Sequence, residues 1–386
     1  MSLDVAVVIP CLNEVRTIGQ VVADAHRALS SLGRGFEIVV ADNGSSDGSQ
    51  EAARQAGARV VDAQAHQGVG AATRFGAEAS QGRILVFLDA DGEHNPAEIP
   101  TLVQAVEGRP EALVLGSRYL GKFEKGASSL PNRLLGTPAL TFLLNHYFGT
   151  KITDCNTGFR AMTRAVFDRI DVRTRGFEFC SEMIARAALV DVPVIEVPIV
   201  QRPGPPGRRP HLRRLRDGWR HLRLILLHAP DRVLLRPGLV ALVLGALLFL
   251  PQLAGRVELG PLVMDIHLMI LGALLLFIGV EMIGAAIVCA TIAGEPVAPA
   301  SRISRRLGRH FSLDSMLGVA GLLLLLGVAA DVAVVVISGL QGWQGLTEPR
   351  LALIGTTGIG LAIQLLVLSF VHSVVGQYPR PGLSAP

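Results

Sequence analysis

Four apolar blocks fill most of the last 150 residues: Pro237 to Gly255, Ile266 to Gly294, Ser315 to Leu346 and Leu351 to Tyr378 carry almost no formal charge. A helix of about 20 apolar residues crosses a hydrocarbon core about 30 Å thick, and it satisfies its own backbone polar groups inside lipid. The blocks therefore predict about four transmembrane helices over residues 237–378, with residues 379–386 as a tail. The 236 residues before them read as a water-exposed α/β domain. A chain that is 50% hydrophobic yet 18% charged suits that division.

Charge is concentrated rather than spread. Ten arginines lie between Arg202 and Arg236, just ahead of the first block. Such a run faces phosphates or lipid headgroups; aromatic stacking residues are scarce, which speaks against nucleic acid. Cys11, Cys155, Cys180 and Cys289 are widely spaced and form no CxxC pair, so neither a zinc site nor a disulfide framework is expected. The run Val5 to Ile9, stopped by Pro10, reads as a buried strand and not a signal peptide.

Short apolar runs alternate with helical patterns through the first half. Val5 to Ile9, Phe36 to Ala41, Ile84 to Leu88 and Leu113 to Leu115 are strand candidates, and Ile18, Val21, Val22, Ala25, Leu29 and Leu32 fall at helical spacing between the first two. This order predicts a mostly parallel, Rossmann-like sheet over residues 1–210, covered on both faces, with ligands beyond the carboxyl ends of its strands. The residues at those ends are polar: Asn13 and Glu14, Asp42 to Asp47, Asp89 and Asp91, Ser117 and Arg118.

A Pro/Arg-rich hinge from Gln201 to Pro210 closes the domain. After it, Leu212, Leu215, Trp219, Leu222 and Leu226 step by three and four along one helical face, while most arginines lie elsewhere. Residues 211–236 are thus expected to form a basic amphipathic helix at the membrane interface. Arg302, Arg305, Arg306 and Arg309 crowd the middle loop, whereas the other two inter-span loops hold one arginine each. Positive-inside bias then puts that loop, the α/β domain and the C-terminus in the cytoplasm, giving a multi-pass protein of the inner or plasma membrane. Glu281 and Asp331 fall inside spans two and three, where a charge is costly.

Leu85-Val86-Phe87-Leu88-Asp89-Ala90-Asp91-Gly92 is the strongest local signal. Two carboxylates one residue apart at the end of a buried strand serve no packing purpose. Hard oxygens in that place suit Mg2+ or Mn2+, which completes its shell with substrate phosphates.

Val8-Ile9-Pro10-Cys11-Leu12-Asn13-Glu14, Val39 to Gly48 (VVADNGSSDG) and Leu88 to Gly92 together resemble glycosyltransferase family 2. Gly116-Ser117-Arg118, Asn132-Arg133, Thr153 to Arg160 (TDCNTGFR) and Asp217 to His221 (DGWRH) are similar to its polyprenyl-phosphate glycosyltransferases, relatives of dolichol-phosphate mannose synthase. The resemblance covers Val5 to His228. It implies a GT-A fold; a nucleotide-sugar donor over Pro10, Asn13, Glu14, Asp42 and Asp89, with Arg202 on its diphosphate; a metal at Asp89 and Asp91; the acceptor phosphate on Arg118 and Arg133; and Asp154, or alternatively Glu182, orienting or deprotonating the acceptor. Arg208 or Arg209 stands in for a lysine that this chain lacks. His66 and Val69 replace the Asn and Lys usual in a glycine-rich segment, and Glu93 stands where mannose synthases commonly have Gln.

The chemistry implied is inverting transfer of one sugar from a nucleotide-diphosphate sugar to a polyprenyl phosphate (undecaprenyl, decaprenyl or dolichyl) at the cytoplasmic face, with membrane lipid as a further partner. Homo-oligomerisation is left open. Two rivals remain at this stage. One is a processive polysaccharide synthase, although neither Trp219 nor Trp343 sits in a QxxRW motif. The other is a lipid-linked-sugar transport or binding subunit with a degenerate enzyme domain, against which the intact Asp89, Asp91, Arg118 and Asp154 argue.

Overall fold

The computed structural model describes residues 3–207, 214–259, 262–293, 302–343 and 348–377. Arg208, Arg209 and Leu212, named above, lie outside them, as does the tail 379–386. The chain divides into two compact units, Met1–His228 and Ala229–Pro386.

The first unit is built on seven strands: β1 (Val5–Cys11), β2 (Phe36–Asp42), β3 (Arg59–Asp62), β4 (Ile84–Phe87), β5 (Leu113–Phe123), β6 (Arg160–Thr163) and β7 (Val194–Gln201). Their order is β3-β2-β1-β4-β6-β5-β7, parallel except for β6, which runs antiparallel to both β4 and β5. Among the described residues eight α-helices accompany them: α1 (Ile18–Ser30), α2 (Ser49–Gln55), α3 (Val69–Ala79), α4 (Ile99–Gly108), α5 (Thr137–Phe148), α6 (Arg164–Ile170), α7 (Phe179–Leu189) and α8 (Arg214–Leu227). Strands β1 and β4 are apolar and buried on both faces, as a central parallel strand must be. On one face Val21, Val22 and Leu29 of α1 pack with Leu102 and Val106 of α4; on the other, Leu144 of α5, Ile184 of α7 and Ile225 of α8 share a second apolar layer.

Two elements differ from the sequence expectation. The fifth strand continues to Phe123 because, after a register shift, its polar second half pairs with β7. Arg118 is therefore a strand residue and not a loop residue. Helix α8 turns Asp217, His221, Leu224 and Ile225 inward, while Leu222 and Leu226 are half-buried and Trp219 is exposed.

Among its described residues the second unit holds four helices long and apolar enough to cross a membrane, Asp231–Ala254, Ile266–Thr291, Leu313–Leu340 and Pro349–Gly376. They are α9 (Arg236–Phe249) with its flanking turns, α10 (Ile266–Ala293), α12 (Leu313–Leu340) and α13 (Pro349–Gln377); a β8 (Val257–Leu259) and β9 (Leu262–Met264) hairpin follows α9, and the arginine-rich α11 (Arg302–His310) precedes α12. With no water to expel, such helices associate through close packing and hydrogen bonds. Glycines make the close packing here. A Cβ on Gly245 would sit 2.7 Å from the Leu276 nitrogen, one on Gly272 2.8 Å from the Phe249 nitrogen, and one on Gly327 2.8 Å from the Gly355 oxygen. Among the hydrogen bonds, Glu281 of α10 accepts from Gln364 Nε2 of α13 at 2.8 Å. Gly245→Leu or Gly272→Leu should force α9 from α10 and lower the melting temperature in detergent by several degrees, reflecting roughly 1–3 kcal/mol of overpacking. Gly321→Leu, where nothing lies within 4 Å, should leave it unchanged; equal melting of all three variants would contradict this packing.

Candidate active site

Beyond the carboxyl ends of the strands lies a cavity of about 1320 Å³ within the first unit. Its polar end is formed by Pro10, Leu12 and Glu14 after β1, Asn43 and Gly44 after β2, and Gln67 ahead of α3. Two loops are locked together there. Asn13 adopts a left-handed conformation (φ 53°) that Asn tolerates; its backbone N–H donates to Ser45 Oγ (2.9 Å) and its Oδ1 accepts from the Ser46 N–H (2.9 Å). Asp42 Oδ2 accepts from the Gly44 and Ser45 N–H groups and from Gln50 Nε2 (2.7 Å), while its buried Oδ1 has no hydrogen-bond partner among the described residues.

Asp89, Asp91 and Glu93 form the middle wall. The turn is tied by the Glu93 N–H donating to Asp91 Oδ1 at 3.0 Å. Gly158 packs directly against this wall: a Cβ there would lie 2.2 Å from Asp89 Oδ2, so only glycine leaves that carboxylate its place. Buried His94 packs on Phe159, and burial pushes its pKa down to about 4. Gln201, from the end of β7, donates to Glu93 Oε2 (2.7 Å) and accepts from Arg118 Nη1 (3.4 Å), which links this wall to the next.

That next wall carries Arg118. Its Nε and Nη2 donate to the two oxygens of Asp154 at 2.6 and 2.7 Å, and its backbone N–H donates a third bond. Burial opposes the charge on both groups, but their attraction prevails: Arg118 is raised and Asp154 is held below the ordinary carboxylate value. Asp154 is wholly buried behind the arginine and does not line the cavity. The Asp154 loop is itself fixed by Glu196 of β7, which accepts from the N–H groups of Thr153 and Asp154. Beside Arg118 sits Arg160, fully buried, donating to the carbonyls of Cys155, Thr157 and Cys180. Leu140 and Leu143 of α5, Phe177, and Trp219 and Leu222 of α8 give the cavity its apolar lining.

Of the residues singled out from sequence, Pro10, Glu14, Asp89, Asp91 and Arg118 meet on this cavity; Asn13, Asp42, Arg133, Asp154 and Arg202 do not line it. Arg202 is beside it, its N–H donating to the Glu93 carbonyl at 2.7 Å. Arg133 is exposed, with its guanidinium 4.6 Å from the centre of the Phe123 ring. Glu182 is occupied elsewhere, accepting from the N–H groups of Arg173 and Thr174. Gln201, Arg160 and His221 were given no site role by sequence reasoning. Arg160 and His221 lay inside quoted motifs, but Gln201 had no local signal, because it reaches the site through the register shift of β5 on β7.

His221 lines the cavity from α8 with Nδ1 2.7 Å from Ser181 Oγ; burial, aided by the nearby Arg160 charge, lowers its pKa to about 4. The unfolded chain binds this proton near pH 6.5 and the folded one near 4, so the stability of the neutral imidazole is complete above about 6.5 and lost as pH falls towards 4. His221→Gln should flatten the fall in thermal midpoint between pH 6.5 and 4.5 relative to the parent. An unchanged slope would show that His221 is not buried neutral.

Comparison with known proteins fits this architecture. A glycosyl transferase family 2 model matches residues 6–171, and a model of the glycosyltransferase family 2 C-terminal transmembrane region matches residues 288–376. The chain is 33% identical to the dolichyl-phosphate hexose transferase of Haloferax volcanii, over 52% of this chain and 83% of the relative. It is 31% identical to the polyprenol monophosphomannose synthase of Mycolicibacterium smegmatis, over 50% and 75%. Similarity to the low-salt glycan biosynthesis hexosyltransferase Agl6 of H. volcanii, 29% identical, runs over 96% of this chain and 89% of the relative. Its sheet is the GT-A fold expected from the motifs, and the chain belongs to glycosyltransferase family 2 as a membrane protein with that family's C-terminal transmembrane region.

Proposed function

We propose that the protein transfers a single hexose from a nucleotide-diphosphate sugar to a polyprenyl phosphate at the cytoplasmic face of the membrane, with inversion at the anomeric carbon. The observation that carries this reading is what lines the cavity: polar strand ends, paired carboxylates, a half-buried arginine and apolar side chains. The names of the relatives that act on dolichyl and polyprenol phosphates support the acceptor class.

The nucleotide sits against Pro10 to Glu14, and the loop that Asn13 and Asp42 brace shapes its pocket. Asp89 and Asp91 line the cavity and offer the hard carboxylate oxygens that Mg2+ or Mn2+ takes, with the diphosphate to complete the shell. Such an ion supplies charge neutralisation for the departing nucleoside diphosphate. Arg202, bonded by its backbone to the Glu93 carbonyl, stands near the same diphosphate.

The acceptor, a phosphate monoester with a second pKa near 6, is largely a dianion at neutral pH. Its oxygen attacks the anomeric carbon as the bond from that carbon to the diphosphate oxygen breaks, and the bonding pair leaves with the diphosphate. No strong general base is needed. This suits Asp154, which is held ionised, buried and doubly bonded to Arg118; its task is to aim that guanidinium at the acceptor phosphate. Arg133, at the exposed edge, would meet the phosphate as it enters. The prenyl chain follows the apolar wall of Leu140, Leu143, Trp219 and Leu222.

Asp91→Asn should lower turnover about 100-fold or more, with the fold retained, since charge stabilisation in the transition state is worth roughly 3 kcal/mol or more. Near-normal turnover in saturating Mg2+ or Mn2+ would overturn the metal assignment. Arg118→Ala, read with donor and acceptor varied separately, should raise the acceptor KM and lower kcat while leaving donor binding close to the parent's. Weakened donor binding alone would show that the division of phosphates between the two walls is wrong.

A further inference from the structure

The inward face of α8 brings to the cavity a polar pair to which the metal and phosphate roles assign nothing. Asp217 and His221, four residues apart on one face of the helix, both line the cavity and are only 1 and 4% exposed. His221 is fixed from behind: its Nδ1 meets Ser181 Oγ of α7 at 2.7 Å, which leaves Nε2 for a ligand. Burial keeps this imidazole neutral near pH 7. Arg216 Nε and Arg220 Nη1, both on exposed side chains, lie 3.6 and 3.7 Å from Asp217 Oδ1 and offset its charge.

A chain of contacts places the pair. Arg160, which also lines the cavity, donates to the carbonyls of Cys155, Thr157 and Cys180 at 2.9, 2.8 and 2.7 Å. Cys155 follows Asp154, the partner of Arg118; Thr157 precedes Gly158, which packs on Asp89; Cys180 precedes Ser181, which holds His221. The Cys180 thiol donates to the Thr157 carbonyl at 3.7 Å and is near enough to Asp89, Arg118 and Asp154 for their charges to act on it. One guanidinium therefore joins the segment behind Asp89, the segment behind Arg118 and the anchor of His221. In the reaction proposed above, the transferred hexose lies between the diphosphate at Asp89 and Asp91 and the phosphate at Arg118, which puts it beside this pair.

Chemistry selects the ligand. A carboxylate accepts hydrogen bonds only and repels phosphate, while a neutral imidazole nitrogen donates or accepts according to its tautomer. Hydroxyls, which both donate and accept, satisfy the two together.

We propose that Asp217 and His221 bind hydroxyls of the transferred hexose and set which hexose is accepted, with Ser181 as the positioning residue for the imidazole. The inference rests on the proposed sugar transfer but not on the lipid acceptor, because the donor carries the hexose.

Binding tests it apart from transfer. The full chain in detergent with Mn2+ is titrated calorimetrically with uridine and guanosine diphosphate hexoses, with deoxy analogues of the tightest one, and with its free nucleoside diphosphate. The parent should bind the analogue that lacks the contacted hydroxyl at least about tenfold more weakly than the hexose itself. Asp217→Asn and His221→Phe should each shrink that ratio at least about fivefold, with the free nucleoside diphosphate bound within about twofold of the parent. Ser181→Ala, which keeps both ligand groups, should shrink the same ratio and decides the matter if His221→Phe does not fold. A parent indifferent to every deoxy analogue, or ratios unchanged in the variants, would overturn the proposal. So would a loss of affinity for the free nucleoside diphosphate equal to that for the hexose, since the pair would then merely support the fold. The expected pattern without any transfer to polyprenyl phosphate would contradict the proposed acceptor and support the role of α8.

Discussion

A buried ion pair joins the two halves of the cavity. Arg118 and Asp154 meet through two side-chain hydrogen bonds, and each is held from behind: Asp154 by the loop that Glu196 fixes, Arg118 by its strand and by Gln201. Such a pair seldom stabilises a fold as much as apolar packing of the same volume would, while removing one partner leaves a charge uncompensated. Its value here is positional. Arg118 lines the cavity together with the carboxylates after β4 and the apolar side chains of α5 and α8, and in the proposed reaction it is the fixed positive charge for a phosphate.

The central strands could be read from sequence because burial on both faces leaves an unbroken apolar run, as in Val5 to Ile9, and the residues ending them could be read because a parallel sheet gathers its ligands there. The short β6 could not, since Arg160-Ala161-Met162-Thr163 is a strand only through its partners β4 and β5. The same limit applied to Gln201 and to the second half of β5, whose places depend on pairing between distant segments. Asp154 was found as a residue, but its neighbours decide what it does: a carboxylate bonded to a buried arginine and two backbone N–H groups is a poor proton acceptor. The amphipathic pattern of α8 was visible as a stripe of leucines. The inward turn of its polar Asp217 and His221 was not, because those side chains find partners and a cavity that no periodicity records.

In the second unit, composition announced the spans, yet their packing rests on particular residues. Gly238 and Gly245 on α9 meet Gly272 and Gly279 on α10 at van der Waals distance, and Gly327 meets Gly355 between α12 and α13. Sequence offered no basic partner for Glu281; the structure gives it a neutral one, the Gln364 amide, which bridges α10 and α13. Asp331 lies against Gly355, where an added Cβ would come within 2.0 Å of its carboxylate oxygen. Both acidic residues therefore sit at helix contacts, the usual place for polar groups inside a membrane.

The central claim is that the cavity joins one sugar to one lipid phosphate. Mass spectrometry of the organic-soluble products tests it most directly, with the purified full chain incubated with polyprenyl phosphate, a divalent metal and each of a panel of nucleotide sugars in turn. The account predicts, for at least one donor, a lipid heavier by a single hexose and an equal amount of nucleoside diphosphate released. A ladder of successive additions, or nucleoside diphosphate released without any sugar on the lipid, would contradict it.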